Sequence, residues 1–161
     1  MRIPTLAALA LLAFASATAG AGQNPASHDG RGAMVMGFDQ NRTSHHFLLF
    51  TDGGAIDVSA NDQSDAKNRD AIRSHLPHIA MMFGSGDFDE PMLVHNSASV
   101  PGTKVMAERK DRLRYEYVET PNGGRVNIVT TDPKALDAVH AFLKYQIDEH
   151  KTGDSKVVRT R

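Results

Sequence analysis

The clearest alternation of apolar and polar positions lies at residues 112–120. There Leu113, Tyr115 and Tyr117 share one face, against Arg114, Glu116 and Val118. A period of two predicts a half-buried strand. The turn signal Pro121-Asn122-Gly123-Gly124 then returns the chain through a second strand at 125–131. A similar hairpin is predicted earlier. Residues 45–51 (HHFLLFT) form one strand, and Asp52-Gly53-Gly54 supplies the positive-φ residues of a tight turn. Residues 55–60 come back with Ile56 and Val58 on one face. Short apolar runs at 34–38 and 92–95 are each read as a further strand, with a turn at 39–44 and a loop at 96–103.

Two segments change to the helical period. Ile72, Leu76, Ile79 and Phe83 recur at helical spacing after the capping candidates Asp62 and Ser64, and Asp65 favours the first turn. Pro77 interrupts this pattern and predicts a kink or a restart, and Gly84-Ser85-Gly86 ends it. The last helix opens with Thr131 or Asp132 as cap and Pro133 near its first position. Its inner stripe is Leu136, Val139, His140, Leu143, Ile147 and His150, and Gly153 stops it. The expected fold class is α+β: a mostly antiparallel sheet of about five strands with two helices packed on one face.

The N-terminus is read as a separate unit. Arg2, the apolar run 6–15 and the small-residue patterns Ala17-Thr18-Ala19 and Ala19-Gly20-Ala21 make residues 1–21 a signal peptide, cleaved near Ala19 or Ala21. The expected location is periplasmic or secreted. Residues 22–32 read as a flexible leader, 33–153 as one domain and 154–161 as a charged, frayed tail. The leader's apolar run is shorter than the roughly 20 residues of a spanning helix, and no later stretch approaches that length, so no transmembrane segment is expected.

Composition narrows the chemistry. The 161 residues contain no cysteine, which excludes a disulfide, a zinc-thiolate site, an iron-sulfur cluster and a thiol nucleophile. The formal charge of -1 gives no basic excess for nucleic acid. Nucleophile-elbow, phosphate-loop and dinucleotide motifs are absent, so no catalytic constellation is visible and an enzyme is the least supported class.

The 8 histidines and 7 methionines stand out. His75, His78 and Met82 fall on one stripe of the first helix, placing two imidazoles and a thioether together. Imidazole suits copper and zinc, and thioether selects Cu(I), so the pattern points to copper. One of His45 and His46 would complete the set, since strand neighbours face opposite ways; His46 shares parity with Leu48 and Phe50 and is favoured if that face is the core. Metal candidates are therefore His45, His46, His75, His78 and Met82. The competing reading makes these histidines packing residues or polar contacts. His140 and His150, ten positions apart on a helix and so roughly 15 Å from each other, cannot share an ion. His150 suits the helix C-terminus, and His140 a buried polar contact. The acidic run Asp87-Phe88-Asp89-Glu90 lacks calcium-loop spacing and reads as a solvated loop, as does the mixed-charge run at 108–114.

Two stretches carry a resemblance: residues 36–40 (MGFDQ) followed by 45–49 (HHFLL), and residues 140–154 (HAFLKYQIDEHKTGD). In these the chain resembles small, uncharacterised exported proteins of proteobacteria, and the resemblance implies export but no activity. Members of that group are sometimes labelled aspartate carbamoyltransferase. That enzyme's S-T-R-T and H-P-x-Q motifs are absent here, and its catalytic chain is a longer, two-domain one. Two functions follow as expectations. One is a periplasmic metal-binding protein handling copper, its partner the metal ion or an unknown periplasmic protein. The other is an interaction or small-ligand-binding module with structural histidines.

Overall fold

The computed structural model describes residues 36–161. Two hairpins of like chemistry organise it. Strand β1 (Thr43–Phe50) turns at Thr51-Asp52 into β2 (Gly53–Ala60), and β3 (Leu113–Thr120) turns at Pro121-Asn122 into β4 (Gly123–Thr130). In both, the Gly-Gly pair opens the returning strand instead of forming the turn. The reason is the neighbour. β2 and β4 pair side by side in a four-stranded antiparallel sheet of order β1-β2-β4-β3. A Cβ on Gly53 would lie 2.0 Å from the Ile128 carbonyl oxygen, and one on Gly123 would lie 2.1 Å from that of Val58. Gly53 also holds φ +139°, open only to glycine without strain.

Each hairpin is followed by a long helix. α1 (Ala66–Ser85) follows β2, and α4 (Pro133–Glu149) follows β4; the short α2 (Asp89–His95) and α3 (Thr103–Glu108) lie between α1 and β3. The long helices cross over. α1 packs chiefly on β4 and β3, and α4 chiefly on β1 and β2. Both cover the same sheet face, where Phe47, Leu49, Ile56, Val58, Val126 and Ile128 meet Ile72, Leu76, Phe83, Val139, Phe142 and Leu143. The opposite face is mixed, with the cross-strand pair Asp57 and Arg125 ion-paired on it. Caps fix the helix starts. The Asp65 carboxylate accepts the Asn68 N–H at 3.2 Å, and that of Asp132 accepts the Ala135 N–H at 2.9 Å, with Pro133 in the first turn.

Five expectations are corrected within the described residues. The sheet has four strands where about five were expected, and four helices accompany it, not two. The run 92–95 is the end of α2: Asp89 and Glu90 occupy its first turn and Val94 alone is buried, and four residues are too few for periodicity to choose between helix and strand. The run 34–38 is not a strand at 36–38, because Gly37 sits at φ +75° and Asp39 caps a short 3-10 turn, Gln40–Arg42; residues 34 and 35 fall outside the described part. α1 does not restart at Pro77 but runs through it as one helix.

The tail, expected to fray, lies along the free edge of β1. The Arg159 N–H donates to the Leu49 carbonyl at 3.2 Å, and the Thr51 N–H donates to the Arg159 carbonyl at 3.0 Å. Arg161 then stacks over the Phe50 ring at 4.5 Å and reaches Asn127 at 2.8 Å. The signal-peptide and leader residues, 1–32, lie outside the described part.

The close approach of β2 and β4 sets a stability prediction. Gly53→Ala should cost more than about 2 kcal/mol, since backbone must move and φ is positive. Gly37→Ala, at φ +75° with nothing within 4 Å, should cost only about 1 kcal/mol of conformational strain. Urea unfolding of both variants checks the ranking.

Candidate functional site

The alternation of β1 decides which histidine enters the core. Its odd positions, His45, Phe47 and Leu49, face the helices, because Phe47 and Leu49 carry the larger share of the buried surface. His46 therefore faces outward, contrary to the parity favoured from Leu48 and Phe50. Phe50 is buried on the outer side under Arg161. The His46 ring lies 2.9 Å from Asp154, whose other oxygen accepts the Phe47 N–H at 2.9 Å and the Thr152 hydroxyl at 2.7 Å. Burial works against the Asp154 carboxylate, but these three contacts together hold its pKa below the ordinary value.

Inside, His45 sits in a ring stack. Its centroid is 5.3 Å from His150, 5.8 Å from Phe38 and 6.3 Å from Phe47. His75, from α1, meets Phe38 edge-on at 5.7 Å. His95, at the end of α2, has Nε2 2.9 Å from Gln146 Oε1 of α4, and its ring meets His150 edge-on at 5.2 Å. Glu90, from the first turn of α2, places one oxygen 3.7 Å from His75 Nε2 and the other 3.7 Å from His78 Nε2. His45, His75, His95 and His150, with Glu90 and Gln146, line a cavity of about 70 Å³ whose other walls include Phe38, Phe47, Phe83 and Phe142. A shallower surface cleft shares Met36, His75 and Glu90 with it and adds Ser74 and His78. Glu90 thus stands where the cavity meets the surface.

The five metal candidates separate. His45 and His75 line the cavity, and His78 adjoins it across Glu90 with its side chain half exposed. His46 is on the opposite sheet face, and Met82 packs against the core without lining cavity or cleft. Among the described residues, no group of three or more His, Asp or Glu side chains is placed to hold a metal ion.

Sequence reasoning missed Glu90, His95, His150 and Gln146 as one group. Glu90 belonged to a run read as solvated. The usable signal was Phe88, an aromatic between acids, which is buried at 4 % exposure and turns the segment inward. His95 and His150 meet only through tertiary packing. His140 does make the polar contact expected of it: its Nε2 lies 2.9 Å from the Phe50 carbonyl and 3.0 Å from that of Gly53, tying α4 to the first hairpin.

The electrostatics are set by burial, which disfavours charge on His45, His75 and Glu90 alike. Burial, then the neighbouring His75 and His46, lowers the pKa of His45 to about 4; burial, then His78, lowers that of His75 to about 4. Burial pushes the Glu90 carboxyl up, against the pull of His78. Among the described residues, no Lys or Arg lines the cavity or the cleft at Glu90, and no Ser, Thr or Cys lines the cavity. Three buried polar atoms of the lining have no hydrogen-bond partner: His45 Nε2, Glu90 Oε2 and Gln146 Nε2. Such atoms are costly unless something binds them. The arrangement suits recognition of a small molecule better than covalent chemistry.

No protein-family model matches the chain, and no curated protein or solved structure shows detectable similarity to it.

The buried imidazoles set a pH dependence. Both lie near pKa 4 when folded and near 6.5 when unfolded, so the unfolded chain takes up more protons between those values. Stability is therefore full above about pH 6.5 and falls towards pH 4, by up to about 1.4 kcal/mol per pH unit for each histidine. Glu90, shifted upward by burial, opposes this above 4.5. Urea midpoints measured across this interval should fall with pH, and less steeply in His45→Phe; an equal slope in that variant would mean His45 protonates freely in the folded protein.

Proposed function

We propose that the protein is an exported binding module whose histidine-lined cavity takes a small molecule with an apolar body and a polar head. The observation that carries this reading is the set of orphaned atoms. His45 Nε2, Glu90 Oε2 and Gln146 Nε2 are buried without partners on side chains lining one otherwise apolar cavity. Apolar walls with a few convergent polar groups are the usual make-up of a small-molecule site. Export rests on the leader pattern at residues 1–21 and on the resemblance to small exported proteobacterial proteins.

Copper handling is the second reading. It rests on His75 and His78 flanking Glu90, each at 3.7 Å, with Glu90 taking the place given to Met82 in the sequence.

A thermal-shift panel separates the two. It contains Cu(I), Zn²⁺ and short alkyl and benzyl compounds carrying amine, alcohol, amide or carboxylate heads. A ligand at about a hundred times its Kd should stabilise by about 2.7 kcal/mol, several degrees in Tm. Organic ligands shifting Tm while metals do not supports the first reading. A copper-dependent rise lost in His75→Ala/His78→Ala moves the second ahead, and a silent panel removes both.

His45→Phe gives an independent check. It replaces an orphaned polar ring by an apolar one in the same stack, so it should raise stability by about 1 kcal/mol while abolishing ligand binding. A purely structural histidine would give the opposite, a loss of stability.

A further inference from the structure

We propose that the ligand of this cavity is a small organic cation, an alkyl- or arylammonium whose N–H groups are received by Glu90 while its apolar body lies among Phe38, Phe47 and Phe142. This rests on the cavity being a ligand site. It adds the sign of the ligand's charge and the direction in which the ligand lies.

The charge argument comes from the lining. Among the described residues, Glu90 is the one carboxylate lining the cavity, and neither Lys nor Arg lines the cavity or the cleft at Glu90; Lys151 lines a separate cleft beside His45 and His150, together with Glu149. An anionic head would meet the carboxylate with no compensating charge in a desolvated place, which costs several kcal/mol. A neutral head would satisfy Glu90 Oε2 with an ordinary hydrogen bond. An ammonium would do so with a charge-assisted one, roughly twice as strong.

The acceptors agree with the charge. Glu90 Oε2 is a buried atom without a hydrogen bond, and so is His45 Nε2. With its proton on Nδ1, the His45 ring turns a lone pair to the ligand. Glu90 lies at the junction of cavity and cleft, so the head sits at the mouth and the carbon chain points inward. His45 and His75 do not compete as cations, because burial lowers the pKa of each to about 4.

The test is calorimetric titration of the purified exported protein at neutral pH with butylammonium, butanol and butanoate, and with benzylammonium, benzyl alcohol and benzoate. Within each series the ammonium should bind at least tenfold more tightly than the alcohol, and the carboxylate should not bind measurably. Glu90→Gln should bring ammonium and alcohol to within about twofold of each other, and Glu90→Asp, which keeps the charge, should retain a preference for ammonium. The proposal falls if alcohol or carboxylate binds the wild-type protein as tightly as ammonium, or if Glu90→Gln leaves ammonium affinity unchanged. Alcohols binding as well as ammonium would leave the ligand site standing and remove only its cationic character; no binding by any of the six would remove both.

Discussion

The pairing of β2 with β4 is the contact on which everything else hangs, because it joins two hairpins that are otherwise separate in the chain. It is close enough to exclude a side chain at Gly53 and at Gly123. With the inner strands fixed in that register, the four strands present one continuous apolar face, and both long helices must lie there. At Gly54 the same logic works vertically: a Cβ would meet Leu143 at 2.2 Å, so the bare backbone lets α4 settle onto the sheet. The cavity is what remains between that helix, α1 and the short α2 where their ends diverge over β1.

The cavity concentrates groups that fold stability alone does not favour. A phenylalanine in place of His45 would bury the same stack without desolvating a ring nitrogen. The chain instead keeps four imidazoles, an amide and a carboxyl around one space. Functional sites commonly carry such local cost, and the surrounding packing bears it here. The rings of Phe38, Phe47 and Phe83 with Phe88 and Phe142 form an aromatic wall that holds the polar groups in place.

What could be read from the sequence follows from range. Periods of two and of 3.6 are local, so both hairpins and both long helices were visible, as was the Asp132–Pro133 start of α4. Runs of four or five apolar residues carry too little periodicity, and there the strand expectations at 36–38 and 92–95 did not hold. Parity along β1 was visible but its sign was not. Leu48 and Phe50 argued for one face and Phe47 and Leu49 for the other, and only the docking of Arg159 and Arg161 shows why Phe50 can be buried on the outside. Of the site, His45 and His75 were found by residue type. His95 was noticed only as lying in a segment that could come near, and Glu90 and His150 were not assigned to the site, because the group forms only where α2 meets the end of α4, some fifty residues further along the chain.

The crossing of the two long helices has a consequence for the order of events in folding. The first hairpin is covered by the helix that follows the second, and the second by the helix that follows the first. Each half leaves most of its own apolar face for the other half's helix. A chain delivered N-terminus first must hold β1 and β2 uncovered until α4, ending at Glu149, has emerged. Closure then comes late and all at once, through contacts far apart in sequence, the kind that slow folding and leave sheet edges exposed while they wait.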